Sequence, residues 1–216
     1  MKKLINNLLK NKILLNLIYR LKEIFSLKLP KVQLIPKSLL RSIILFMEKL
    51  EKLISTYENY PKAGVSFKDV IEIAQYPSIF RELIVEMANS KLIKESEAII
   101  SIDARGFIFG SAISIQAAKP MIVARKPGKL PGEIVSKKYS LEYGENSLSI
   151  QKKALKKFNS FVIVDDLLAT GGTVNCVSDL LIQNNKKVVG LIVVVELNEL
   201  DGRSRFNFPV ESSILI

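Results

Sequence analysis

The sequence predicts an α/β fold, an open and mainly parallel twisted sheet flanked by helices, and three observations carry that prediction. Short β-branched apolar runs at Ala98–Ile102 and at residues 121–125, 161–164 and 188–195 lack polar alternation, as strands buried on both faces do. Helical spacing follows such runs, for example at Val174, Val177, Leu180 and Leu181. Finally, residues suited to ligands cluster at 103–110 and 165–173, just past two of the strands, where open α/β sheets hold their ligands.

With 216 residues and 48% apolar composition, the chain suffices for one domain with a proper core, plus some excess. One cysteine, Cys176, excludes a disulfide framework within the chain and fits a reducing cytoplasm; it reads as a small apolar residue near the start of its helix. The absence of histidine excludes histidine metal sites and histidine acid–base catalysis. The net charge of +11 is unevenly spread. Residues 1–46 hold ten Lys/Arg against Glu23, whereas residues 47–216 hold twenty-two basic and twenty acidic side chains. The basicity therefore belongs to an N-terminal extension, 1–46, and the remainder, 47–216, is a nearly balanced domain for which no nucleic acid partner is expected.

In the extension, Leu14, Leu17, Ile18, Leu21, Ile24 and Phe25 share one helical face opposite Asn16, Tyr19, Arg20 and Glu23, which predicts an amphipathic helix. Lys10 and Lys12 interrupt any signal-peptide apolar region, and no apolar run is long enough to span a bilayer. Packing on the domain or on a partner is favoured over a membrane surface or an organelle presequence. Pro30 and Pro36 mark a linker. Ser38 is then positioned to cap a second helix, with Leu39, Ile43, Phe46, Leu50, Leu53 and Tyr57 as its stripe. Met47, within that stripe, is a plausible domain start and a candidate translation start; an intact mass covering residues 1–216 would exclude the latter.

Residues 60–69, YPKAGVSFKD, read as a rigid turn entering a short extended piece, and Phe80, Leu83, Ile84 and Met87 follow at helical spacing. After the strand Ala98–Ile102, the turn Asp103-Ala104-Arg105-Gly106 presents an arginine suited to bidentate contact with a pyrophosphate, assisted by main-chain N–H groups. A lone surface arginine is the plain alternative. The strand at 121–125 runs into a long segment with cations at Arg125, Lys126 and Lys129, prolines, glycines and an alternating stretch that ends at Glu142-Tyr143-Gly144. Segments this long are functional lids or disordered.

The stretch 161–181 reads as strand, acidic loop, glycine turn and helix. Gly171 and Gly172 allow a tight turn in which main-chain N–H groups approach an anion without a Cβ in the way. Thr170 and Thr173 add hydroxyls, and the helix start adds unsatisfied donors and a positive dipole end, so Ala169, Thr170, Gly171, Gly172 and Thr173 suit a phosphate. Asp165 and Asp166 would repel that phosphate but suit the vicinal hydroxyls of an adjoining sugar. Neither G-x-x-x-x-G-K-[ST] nor G-x-G-x-x-G is present, which excludes the common nucleoside-triphosphate and dinucleotide loops. An ordinary strand–turn–helix corner remains the alternative. The chain closes with ELNELDGR at 196–203 and an expected edge strand at 214–216.

Taken with its surroundings, the 161–181 stretch resembles the phosphoribosyl pyrophosphate (PRPP) motif of type I phosphoribosyltransferases. YPKAGVSFKD resembles the FPxPGxxFRD opening of the adenine phosphoribosyltransferases, with Ala63 for the second proline and Lys68 for the arginine. Residues 104–110 match that family's ARGFxFG pattern, and 196–203 its ELxxLxGR segment. The resemblance covers about residues 47–216. It implies a type I phosphoribosyltransferase-like fold with a mobile flap, and transfer of a phosphoribosyl group from PRPP to adenine, giving AMP and pyrophosphate. Ser66, Phe67 and Lys68 then hold adenine, while Arg105, Arg125, Lys126 and Lys129 hold pyrophosphate. Asp165 and Asp166 hold the ribose, and 169–173 the 5′-phosphate. Glu142 is the catalytic group at the purine N7 proton, Tyr143 its aromatic neighbour on the flap, and Mg²⁺ binds mainly through PRPP oxygens rather than to the protein directly. The family often has an acid where Ser149 stands, and its members are usually homodimers. A transferase for another purine such as xanthine, or a PRPP-sensing regulator without turnover, remains open at this point.

Overall fold

The computed structural model describes residues 37–141 and 144–216, so the amphipathic helix expected over residues 14–25 lies outside the described residues. The chain divides into two compact units near Phe80/Arg81, with the short piece Ser213–Leu215 counted with the first.

The first unit begins with α1, Lys37–Lys52, which carries Lys49 and Lys52 in its last turn, where cations complement the negative dipole end. Phe46, Met47 and Leu50 are its buried residues, so Met47 sits inside an unbroken helix. Two expectations shift here. Ser38 lies within the first turn rather than ahead of it, and the helix stops before Leu53 and Tyr57. Tyr57 instead belongs to β1, Ser55–Glu58, which pairs antiparallel with β2, Ser66–Asp69, so a strand's demands override the helical spacing. The hairpin turn is shaped by the cis Tyr60–Pro61 peptide and by left-handed backbone at Asn59 and Gly64, the Asn59 side chain accepting from the Gly64 N–H at 2.9 Å. A short 3₁₀ turn, Ile71–Gln75, follows, and α2, Pro77–Ala88, crosses into the second unit.

That second unit is built on the sheet. After α3, Lys91–Glu95, come β3 (Ala98–Ile102), α4 (Gly106–Ala117) and β4 (Met121–Ala124). A hairpin of β5, Ile134–Leu141, and β6, Gly144–Gln151, leads through the single turn α5, Lys152–Leu155, to β7, Ser160–Leu168. Then α6, Gly172–Gln183, β8, Lys187–Glu196, and the edge strand β9, Val210–Leu215, complete the chain. The main sheet runs β4-β3-β7-β8-β9, and β3 is parallel to both β4 and β7, as β7 is to β8. β3 is buried throughout, which explains why Ala98, Ile99, Ile100 and Ile102 are all apolar; Ser101 is its one polar residue and is buried too. Val174, Val177 and Leu181 of α6 pack in the same core cluster as Ile163 and Leu191 of the sheet. Each such buried side chain contributes about 1.5–3 kcal/mol of transfer free energy.

The strand order reverses between β3 and β7: from β3 the chain steps outward to β4, returns to β7 on the other side, and steps outward again to β8. The turns leaving β3 and β7 therefore emerge side by side at a topological switch point. Three sequence expectations change in detail. β7 continues through Asp165 and Asp166, which extend the strand rather than open a loop. β4 ends at Ala124, leaving Arg125 in an isolated bridge to Ser149. The long segment after it is largely an ordered two-stranded hairpin, with Ile134 opposite Gln151 and Leu141 opposite Gly144.

Candidate functional site

In the turn after β3, the Asp103–Ala104 peptide is cis and Arg105 stands immediately before α4. No side chain caps that helix, and its first turn holds no acid, so its N-terminal dipole end is left for a ligand. The Arg105 Nε lies 3.0 Å from Asp166 Oδ2, although that oxygen has no aligned hydrogen-bond donor. Gly106 matters at this junction because a Cβ there would fall 2.7 Å from Asp165 Oδ1 and 3.1 Å from the Val164 carbonyl oxygen. Only glycine lets the helix start approach the end of β7 this closely. The two turns thus meet through Arg105–Asp166 and Gly106–Asp165.

Asp166 is 3% exposed, and the Asp165 Oδ1 accepts from the Asp166 N–H at 3.0 Å. Burial, and then the neighbouring Asp166 charge, pushes the Asp165 carboxyl well above its ordinary value. Burial also raises Asp166, with Arg105 pulling the other way. Desolvated carboxylates with spare acceptor capacity are suited to hydroxyl donors, whose hydrogen bonds favour the charged form.

Beyond them, Ala169 and Thr170 are half-buried and Gly171 takes φ +79°, the left-handed conformation that a glycine permits. Gly172 opens α6 and Thr173 is its second residue; the Gly171 carbonyl accepts from the Asn175 N–H at 2.9 Å. α6, like α4, has neither a capping side chain nor an acid in its first turn. All five residues expected at a phosphate therefore surround one uncapped helix start.

Among the expected cations, Arg125 is engaged: its Nε donates to Asp103 Oδ2 at 3.0 Å, its Nη1 to the Lys129 carbonyl at 3.3 Å, and its guanidinium lies 5.6 Å from the Phe107 ring centre. It clasps the β3 turn to the start of the flap. Lys126 and Lys129 are exposed in a turn whose Lys129 N–H donates to the Lys126 carbonyl, and Gly128 and Gly132 take positive φ. Ser149 is 1% exposed and its hydroxyl pairs with that of Ser136 across the hairpin at 2.7 Å, which gives the serine a structural role. Glu142 and Tyr143 lie outside the described residues. The hairpin is moored to α6: Lys137 Nζ donates to Asp179 Oδ2 at 2.7 Å, and Cys176 Sγ to the Lys137 carbonyl at 3.3 Å. Burial raises the Cys176 thiol pKa, in keeping with its reading as a packed apolar residue.

Ser66, Phe67 and Lys68 belong to the first unit, on β2. Ser66 Oγ donates to Glu58 Oε1 at 3.0 Å and Lys68 Nζ to Thr56 Oγ1 at 2.9 Å. Phe67 is held edge-on by Tyr60, ring centres 5.2 Å apart. Sequence reasoning gave no role to Gly106 or to Glu196, Gly202 and Arg203, although the motifs containing them were recognised; a glycine inside a motif was the available signal.

The family model described as "Phosphoribosyl transferase domain" matches residues 71–212. The chain is 87% identical over 169 residues to an adenine phosphoribosyltransferase of Prochlorococcus marinus (strain MIT 9312), covering 78% of this chain and 99% of that protein. It is 41% identical over 168 residues to one from Mycoplasmopsis pulmonis, covering 77% and 98%. Among solved structures, the adenine phosphoribosyltransferase of Thermoanaerobacter pseudethanolicus superposes with TM-score 0.72 at 36% identity, covering 79% of this chain and 99% of that one. The Saccharomyces cerevisiae enzyme, complexed with an imino-altritol bisphosphate and adenine, gives 0.72 at 31% identity, again over 79% and 99%.

Proposed function

The chain belongs to the adenine phosphoribosyltransferase family, and from that premise we propose how its residues divide the work. It is a transferase of purine salvage, moving the 5-phosphoribosyl group from PRPP to adenine to give AMP and pyrophosphate. The observation that carries the assignment of roles is the junction of two uncapped helix starts at the switch point, joined by Arg105–Asp166 and Gly106–Asp165. One substrate that carries a phosphate and a pyrophosphate on a single ribose suits such a junction.

Ala169 to Thr173 bind the 5′-phosphate through main-chain N–H groups and hydroxyls. Asp165 and Asp166 accept from the ribose hydroxyls, and Asp166 Oδ2 thereby gains the hydrogen bond that its burial leaves unmade. Displacement at the anomeric carbon builds positive charge on the ribose and negative charge on the departing pyrophosphate. Arg105, Lys126 and Lys129 stabilise the latter, and Arg125 joins them while holding the turn. Among the described residues, no group of three or more acidic or cysteine side chains converges as a metal site. A magnesium ion brought with PRPP and held mainly by its oxygens would neutralise charge on the pyrophosphate. Glu142 handles the proton at purine N7, with Tyr143 beside it on a flap that closes to exclude water. Ser66, Phe67 and Lys68 hold adenine by main-chain groups and ring packing; because Lys68 is already tied to Thr56, backbone recognition tolerates its replacement of arginine.

We further assign residues 47–216 as the catalytic domain, which the 169-residue match supports, and residues 1–46 as an appendage. The enzyme is assigned to the cytoplasm, on the strength of its lone buried cysteine, and to a homodimer, on family resemblance. No helix among the described residues is long and apolar enough to cross a membrane. The deciding assay offers PRPP and Mg²⁺ with adenine, guanine, hypoxanthine or xanthine in turn. Pyrophosphate release with adenine is expected, and release with xanthine alone would overturn the choice of base.

A further inference from the structure

The roles above leave unused one buried ion pair at the carboxyl end of the sheet. Glu196 is the last residue of β8, lies opposite Leu168 where β7 gives way to the phosphate turn, and is only 2% exposed. Arg203 grips it with both arms of its guanidinium, Nε to Oε1 at 2.6 Å and Nη2 to Oε2 at 2.5 Å. A bidentate pair of this kind fixes orientation as well as charge, and a carboxylate buried this deeply requires such a partner.

The residue before Arg203 touches the phosphate turn. Gly202 is buried, and a Cβ there would overlap the Ala169 carbonyl oxygen and lie 3.2 Å from the Gly171 nitrogen. The contact is reciprocal, since a Cβ on Gly171 would fall 2.9 Å from the Gly202 carbonyl oxygen and 2.9 Å from Cζ of Phe206. Asp201, at φ +45°, bends the chain into the 3₁₀ turn Gly202–Arg205, which the Ser204 hydroxyl secures by donating to the Asp201 carbonyl at 2.7 Å. Phe206 stacks on Phe208, ring centres 4.9 Å apart. The turn that faces the anion thus rests on a second turn behind it, and that second turn is pinned to the sheet through Arg203.

We propose that Arg203, oriented by Glu196, is a positioning residue for the 5′-phosphate: the pair seats Gly202 and Phe206 against Ala169–Gly171 and so keeps the N–H groups of that turn aimed at the anion. The proposal rests on the assignment of residues 169–173 to the 5′-phosphate. It requires that loosening the pair weaken ligands bearing that phosphate while sparing pyrophosphate, which binds at the neighbouring turn. A pair that merely stabilises the sheet would affect both ligands alike, or neither.

The test uses the full chain and its Arg203→Gln, Arg203→Lys and Glu196→Gln variants, with calorimetric titration of AMP and, separately, of pyrophosphate with Mg²⁺, alongside steady-state kinetics. Arg203→Gln should weaken AMP and raise KM for PRPP by about tenfold to a hundredfold, the scale of a small misplacement transmitted to a binding group, with pyrophosphate affinity and KM for adenine within about twofold. Arg203→Lys, which keeps the charge but not the fork, should recover part of the loss. If Arg203→Gln does not fold, Arg203→Lys decides alone by the same AMP-to-pyrophosphate contrast. Wild-type AMP affinity in a folded variant would overturn the proposal, as would equal losses for AMP and pyrophosphate. A wild-type chain that binds pyrophosphate but neither AMP nor PRPP would instead overturn the assignment of the turn, and the proposal with it.

Discussion

In the turn after β7, the proposed anion recognition falls to main-chain N–H groups at an uncapped helix, around a glycine at φ +79° backed by Gly202 and Phe206. In the flap it falls to long side chains, Lys126 and Lys129, exposed on a turn ahead of the hairpin that Lys137–Asp179 moors to α6. The first arrangement has little to reorganise when the ligand arrives, because its donors are fixed by packing. The second must be drawn into place. On the roles proposed above, the contrast teaches that the 5′-phosphate end of PRPP is met by donors fixed in the backbone, whereas Lys126 and Lys129 meet the pyrophosphate end with exposed side chains.

Substitutions in the two regions should therefore fail differently. The largest effect is expected from the flap: Glu142→Gln should lower kcat by about a hundredfold, the scale of lost acid–base assistance, while leaving PRPP affinity nearly intact. Unchanged turnover in stopped-flow or steady-state assays would remove Glu142 from the mechanism. In the rigid turn, Gly171→Ala should do the reverse, weakening PRPP by about tenfold or more because the new Cβ meets Gly202 and Phe206 in a backbone conformation that disfavours it. Calorimetry showing wild-type affinity would erase the contrast. A smaller effect, severalfold on KM for PRPP and shrinking as salt is raised, is expected for Lys129→Gln, since an exposed charge is screened. Salt-independent loss would place Lys129 among the rigid groups.

The smallest effect is one of stability. Burial raises the Asp165 carboxyl above the usual 3.8, so between the two values the folded chain binds the extra proton and stability falls as pH rises. Asp165→Asn should accordingly raise the melting temperature of the ligand-free protein by a few degrees at pH 7, and the gap should close as pH falls below 3.8. A variant that melts lower at neutral pH would show that the ionised carboxylate helps to hold the fold.

Local patterns were legible in the sequence because their causes are local. An apolar β-branched run makes β3, and two glycines before an apolar helix make the phosphate turn. Boundaries were harder to read. The helical stripe ran on to Tyr57, which cross-strand pairing with Phe67 recruits to β1, and the acidic pair looked like a loop although β7 carries it opposite β8. What the pattern could not reveal are contacts between residues far apart in the chain. Arg125 is claimed by Asp103, Ser149 is hydrogen-bonded to Ser136, and Gly202 rests on Ala169, thirty-three positions earlier. Each depends on which strands become neighbours.

The switch point has a further consequence. Because the turns proposed to take pyrophosphate and 5′-phosphate leave hydrogen-bonded neighbours β3 and β7, their separation is tied to the strand spacing of about 4.8 Å, which the backbone ladder fixes. The sheet acts as a ruler. Side-chain substitutions can tune how strongly either end of the ligand is held, but the span between its two charged ends is written in the backbone, so altered substrate length would call for a change of strand order rather than of residues.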